Sequence, residues 1–179
     1  MMEAMLALVR GNSAAAVAAV PVDLDDPTYG SFVYATAGHA ALWIRDVDAA
    51  GKALRSLDAM RMHGRMLDAT KRTLRAGISG LEGRTAEAVA DFGEAARALR
   101  ELEVPLVLAF CHLDFLASVG SDAGAGRAAV ETEAREILTK LGATPLLAQL
   151  DSLTTSERVR TRASMEIVMS AESPGAPVA

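Results

Sequence analysis

Apolar residues recur along this chain at the three-and-four spacing of α-helices, broken at intervals by glycine, proline and polar turns. The pattern is clearest over residues 81–99, LEGRTAEAVADFGEAARAL, which reads as a helix end, a turn and an amphipathic second helix. Gly83 marks the turn, where a left-handed backbone costs least without a Cβ. Ala88, Phe92, Ala95 and Leu99 then fall on one face. Small side chains at Ala88 and Ala95 admit a neighbouring helix closely, and Phe92 fills the gap between them. Such a hairpin cannot bury its apolar face alone and needs further hairpins to stack against.

Taken in order, residues 2–10 read as a helix end, Gly11 and Asn12 as a turn, and Ser13 as the N-cap of a helix over 14–20 that Pro21 stops. The chain thus reads as if it begins partway through a repeat. Residues 22–26 form a linker, and Asp26 before Pro27 signals a helix start. That helix is expected to reach about Arg45, with Phe32, Ala35, His39, Leu42 and Trp43 near one stripe. Residues 46–48 turn, and Ala50, Leu54 and Leu57 mark the next helix. A turn at 62–64 precedes a helix over 66–81, with Leu67, Leu74, Ile78 and Leu81 inward. Pro105 opens PLVLAFCHLDFLASVG, apolar nearly all round and expected to be the most buried helix. Residues 120–126 form a loop, and 127–141 a helix with Val130, Ala134, Ile137, Leu138 and Leu141 on one stripe. Gly142 ends it, residues 145–150 form a short cap-like helix, and Thr154 with Glu157 reads as a capping box for a last helix reaching Ala171.

Equivalent small or apolar positions, Ala16, Ala50, Ala88 and Val130, lie early in successive second helices, 34, 38 and 42 residues apart. Two helices per unit at such a period predict an all-α chain, an α-α superhelix of antiparallel hairpins.

Gly83, Glu87, Ala88, Phe92 and Ala95 resemble the turn and second helix of a tetratricopeptide repeat. Residues 134–151, AREILTKLGATPLLAQLD, are similar to the end of the tetratricopeptide-like region of large bacterial STAND-type regulators. Those are multidomain proteins with a cyclase-like or LuxR-like DNA-binding domain, a signal-transducing ATPase and a long helical-repeat tail. The resemblance covers roughly residues 2–152. It implies a tetratricopeptide-like domain over 1–153, of about four hairpins and a short capping helix; the capping box adds an extra helix over 154–172, and the composition of 173–179 reads as a disordered tail. It also implies a non-catalytic interaction or scaffold module in signal transduction or transcription regulation. The expected partner is another protein or other domains of a larger parent chain. Met5, Leu6 and Val9 would leave an exposed apolar end able to support a homodimer.

Composition narrows the classes. Hydrophobic residues are 51% and aromatics only 4%, so the core must be built from Leu, Ala, Val and Met. A net charge of −5 disfavours a general nucleic-acid binder. Cys111 is the one cysteine, in an apolar segment, which suits a reducing cytoplasm and an inert packing role. No segment has the ~18 consecutive apolar residues of a membrane span. The first twenty residues read as helix, turn and helix instead of a targeting peptide, because Glu3 replaces a basic start and Arg10 interrupts the apolar run.

Motifs for chemistry are absent from the sequence. Gly51-Lys52 lacks the upstream glycine and the following hydroxyl of a phosphate-binding loop, and Gly124 to Gly126 lacks a dinucleotide site's third glycine. No His or Cys pattern has metal-ligand spacing. His39, His63 and His112 fall in separate units, and Cys111 and His112 point about 100° apart on a helix. His39 reads as a half-buried packing residue. No catalytic, cofactor-binding or metal residue is therefore expected, and the chain is not expected to be an enzyme. One feature stands out: Lys52, Arg55, Arg61, Arg65, Lys71, Arg72 and Arg75 are opposed within their stretch only by Asp58 and Asp68. Arg61, Arg65, Arg72 and Arg75 are the candidate surface for an anionic partner, since a guanidinium fork suits carboxylate or phosphate. The alternative function is a sensor that binds a small anionic ligand at this basic helix face.

Overall fold

A computed structural model describes residues 2–19, 27–120 and 124–171. Among the described residues there are nine helices and no strand: α1 (Met2–Val9), α2 (Ser13–Ala18), α3 (Pro27–Trp43), α4 (Val47–Ala59), α5 (Arg65–Leu81), α6 (Thr85–Glu101), α7 (Pro105–Ser118), α8 (Gly124–Lys140) and α9 (Thr144–Ala171). The chain is all-helical, as its apolar period requires. Helices adjacent in sequence pack on one another, most extensively α5 on α6 and α3 on α4. None of the described helices is long and apolar enough to cross a membrane.

The turns recur. After α1, Asn12 N–H donates to Ala7 O at 2.8 Å and Gly11 N–H to Leu8 O at 2.9 Å. Asp46 to Ala41 and Arg45 to Leu42 repeat this after α3, and Arg84 to Ser79 and Gly83 to Gly80 repeat it after α5. Each turn is a Schellman closure, which satisfies two terminal carbonyls through a residue of positive φ. That residue is Gly11 at 78°, Arg45 at 60° and Gly83 at 85°. Ala16, Ala50 and Ala88 are each the fourth residue of the helix that follows, and each is fully buried.

Several boundaries differ from the sequence reading. Asn12, not Ser13, caps α2, because its side chain accepts from Ala15 N–H at 3.1 Å. Asp46 likewise caps α4 through Ala49 N–H at 2.9 Å. The expected loop over 120–126 is already helical from Gly124. The short cap-like helix and the separate last helix are one helix, α9, so the expected boundary at 153/154 falls inside it. Thr154 is not a cap: its hydroxyl donates back to Asp151 O at 3.1 Å, and Glu157 pairs with Arg160. Phe32 faces outward at 49% exposure, since α3 turns Val33, Thr36 and His39 inward instead. The expected linker at 22–26, tail at 173–179 and side chains of Met5 and Val9 lie outside the described residues.

The core is centred on α7, where every residue from Leu108 to Val119 is buried, as its apolar run predicts. Helices α3, α5 and α7 each touch the other two. Glycines set their spacing. A Cβ built on Gly77 of α5 would lie 2.4 Å from a Leu42 methyl of α3, and one on Gly38 of α3 would lie 2.6 Å from a Leu74 methyl of α5. Leu42 and Leu74 are fully buried, so each leucine fills the notch left by the other helix's glycine. Gly80 does the same towards α7, where a Cβ would lie 3.1 Å from Ser118 O. The C-terminus of α7 has no basic residue of its own. Arg45 donates to Ala117 O, and Arg127 donates to Leu116 O and Val119 O, placing positive charge where the helix dipole is negative.

These notches predict opposite signs for one substitution. Alanine raises helix propensity by about 1 kcal/mol over glycine, whereas overpacking a filled core costs about 1–3 kcal/mol. Gly77→Ala should lower the stability read by urea unfolding, while Gly93→Ala on α6, where an added Cβ meets nothing within 4 Å, should raise it. Stabilisation by both would remove the notch.

Candidate functional site

The basic face lies along α5, at a cleft of about 630 Å³ shared with α6. Arg65, Lys71, Arg72 and Arg75 from α5 and Arg97 from α6 line it together with Asp58, Asp68, Glu94 and Glu101. Five basic side chains thus meet four acidic ones. Arg65 Nη2 donates to Glu101 Oε2 at 3.1 Å. Arg72 reaches Asp91 at 3.5 Å and ion-pairs with Glu94. Arg75 donates to both Asp58 oxygens at 3.1 Å, and the buried Lys71 lies 3.3 Å from the same carboxylate. The spacing follows the antiparallel register: seven residues up α5, from Arg65 to Arg72, match seven residues down α6, from Glu101 to Glu94.

Three of the four candidate arginines, Arg65, Arg72 and Arg75, share this cleft. Arg61 stands apart in the turn before α5, exposed and at φ 50°, and does not line it. The acidic partners Asp91, Glu94 and Glu101 lie outside the stretch in which the bases cluster. Their three-and-seven spacing on α6 was the available signal. Exposed pairs of this kind are worth about 0–1 kcal/mol each. Their main effect is to present alternating charge.

A second polar constellation is internal. Asp114 of α7 is fully buried, with Oδ2 2.6 Å from His39 Nδ1, and its Oδ1 accepts from Trp43 Nε1–H at 2.8 Å. Phe110 stacks on the His39 ring, with centroids 5.2 Å apart. His39 is thus a fully buried hydrogen-bonding residue, not a half-buried packing one. Burial pushes the Asp114 carboxyl up from its ordinary value. The network ties α3 to α7 across 71 and 75 residues of chain.

A third lies between α6 and α8. Arg100 donates to both oxygens of Glu133, at 2.8 and 2.6 Å, and this bond holds the Glu133 carboxyl below its ordinary range. His112 is buried beneath it; burial lowers its pKa and keeps the ring neutral. Burial pushes the Cys111 thiol up to about 12, so it stays protonated near neutral pH.

Asp114 and Glu133 should titrate stability in opposite directions. With its folded pKa raised above 3.8, Asp114 contributes fully below that pH and loses its contribution as pH rises through the folded value. With its folded pKa lowered from 4.5, Glu133 contributes fully above that pH and loses its contribution as pH falls through the folded value. On raising pH from acid, the stability of the native chain relative to Asp114→Asn should fall, and that relative to Glu133→Gln should rise. Chemical denaturation across pH measures both; equal signs would contradict the assignment.

No protein-family model matches the chain, and no curated protein and no solved structure matches it.

Proposed function

We propose that the chain is a tetratricopeptide-like superhelical module that serves as a protein–protein interaction or regulatory scaffold, of the kind found in the tails of STAND-type bacterial regulators. The observation that carries this reading is the buried alanine at the fourth position of α2, α4 and α6, each helix entered through a two-bond turn that the chain also uses after α6 and α8. Units of this kind stack side by side and present extended surfaces to partners; here α3 also meets α7, so the stack is more closed than an open superhelix.

The α5–α6 cleft is the surface we assign to that role. Its mixed charge suits a protein segment carrying both signs, because Arg65, Lys71, Arg72 and Arg75 are already paired with acids and a purely anionic ligand would have to displace carboxylates. A small anionic ligand is the second reading, supported by the single excess of basic residues along the cleft. Leu6, 42% exposed on α1, supports association of two copies through that end.

A photo-crosslinking residue in place of Arg97, compared with one in place of Lys140 on α8, tests the reading in the native host. One discrete protein adduct from the cleft position alone is the expected result. Equal or no labelling from both positions counts against it, and thermal stabilisation by nucleotides or phosphorylated metabolites without any adduct would favour the anion sensor.

A further inference from the structure

We propose that the groove between α6 and α8 is a binding site for a small, uncharged aromatic ligand bearing one hydroxyl or N–H group. This site is separate from the α5–α6 cleft and does not depend on the interaction-module reading. It encloses about 200 Å³ over a floor supplied by α7. The volume fits one ring: a cavity of about 150 Å³ is enough to admit benzene in an engineered protein of another fold.

Three features of the groove select the ligand. Phe92 and Phe115 meet there edge to face, with centroids 5.4 Å apart at 77°, so an inserted ring becomes the third of an aromatic cluster. Gly93 of α6 and Gly126 of α8 line the opening, and a Cβ at either meets nothing within 4 Å among the described residues. The glycines therefore leave the groove open without being needed for packing against a neighbour.

The polar requirement comes from the other end. The Arg100–Glu133 pair bridges α6 to α8 there. His112, a lining residue only 2% exposed, has its Nε2 buried without a hydrogen bond among the described residues. Glu133 Oε2 lies 3.0 Å from that nitrogen as a charge contact without full hydrogen-bond geometry. A buried polar atom left in this state gains from a ligand group that can bond it. The Nε and Nη2 edge of Arg100 is already paired with Glu133, so the charge of Arg100 is offset and a carboxylate on the ligand would meet repulsion from Glu133 with no unpaired cation among the described lining residues. A hydroxyl or N–H has no such penalty.

Titration of the isotopically labelled chain with phenol and with benzoate tests this. Phenol should give saturable amide shifts confined to α6, α7 and α8, with Kd of about 1–10 mM for so small a probe, and benzoate should bind at least about tenfold more weakly. Gly93→Leu should abolish the phenol shifts while preserving the helical circular dichroism; Gly126→Leu fills the groove from the opposite wall and serves where the first variant does not fold. Absence of saturable phenol shifts, benzoate binding as tight as phenol, or phenol binding unchanged in a folded groove-filling variant would each overturn the site. A tyrosine side chain carries the same ring and hydroxyl. N-acetyltyrosinamide distinguishes that source from a free ligand: binding tighter than phenol assigns the ring to a peptide, weaker binding to a free small molecule, and either supports the groove.

Discussion

The close approach of α3 and α5 sets the geometry of the rest. It depends on two glycines and two leucines in reciprocal positions, Gly38 receiving Leu74 and Gly77 receiving Leu42. Interiors packed at this density have no slack for an extra methyl group. Once the two helices are seated, the next glycine along α5, Gly80, brings the backbone of α7 close at Ser118. With α7 in place, Asp114 comes within bonding reach of His39 and Trp43. The steric notch and the polar tie thus act on the same three helices. The notch sets their distance. The tie rewards one lengthwise position of α7, because a shift of one turn would leave a buried carboxyl and an indole N–H without partners.

Around this centre the remaining helices make mostly local contacts. α4 packs on α3, α6 on α5, and α8 on α7, each a sequence neighbour. The outer faces are therefore decided by short-range register, which is how the acids of α6 come to sit against the bases of α5. The same arrangement leaves α6 and α8 linked across the groove by the Arg100–Glu133 pair. Charge on the outside and small apolar side chains inside follow from one pattern: a chain with few aromatics must approach closely to fill its interior.

Much of the fold is legible in the sequence because its signals are local. Gly11, Gly83 and Gly142 stop helices where they stand, and all three adopt positive φ. Pro27 and Pro105 start helices, and the apolar run after Pro105 is the buried helix it reads as. The failures are of two kinds. Thr154 and Glu157 imitate a helix start because a capping box and an internal hydroxyl-to-carbonyl bond use the same residue types. Gly38, Gly77 and Asp114 carry no local mark at all. A glycine inside a helix looks like a weakness until the opposing leucine is known. Asp114 looks like one polar intrusion in an apolar run, because its partners are more than seventy residues away. The basic face was legible as a cluster, but its neutralising acids lie one helix further on and only the hairpin register pairs them.

The central claim is that α3, α5 and α7 form one cooperative unit, not a chain of independently opening hairpins. Native-state hydrogen exchange of the folded chain tests it most directly. Amides at the centres of α3, α5 and α7 should share a single, highest opening free energy, equal to that of global unfolding. Separate opening of α3 at markedly lower free energy than α7 would contradict it.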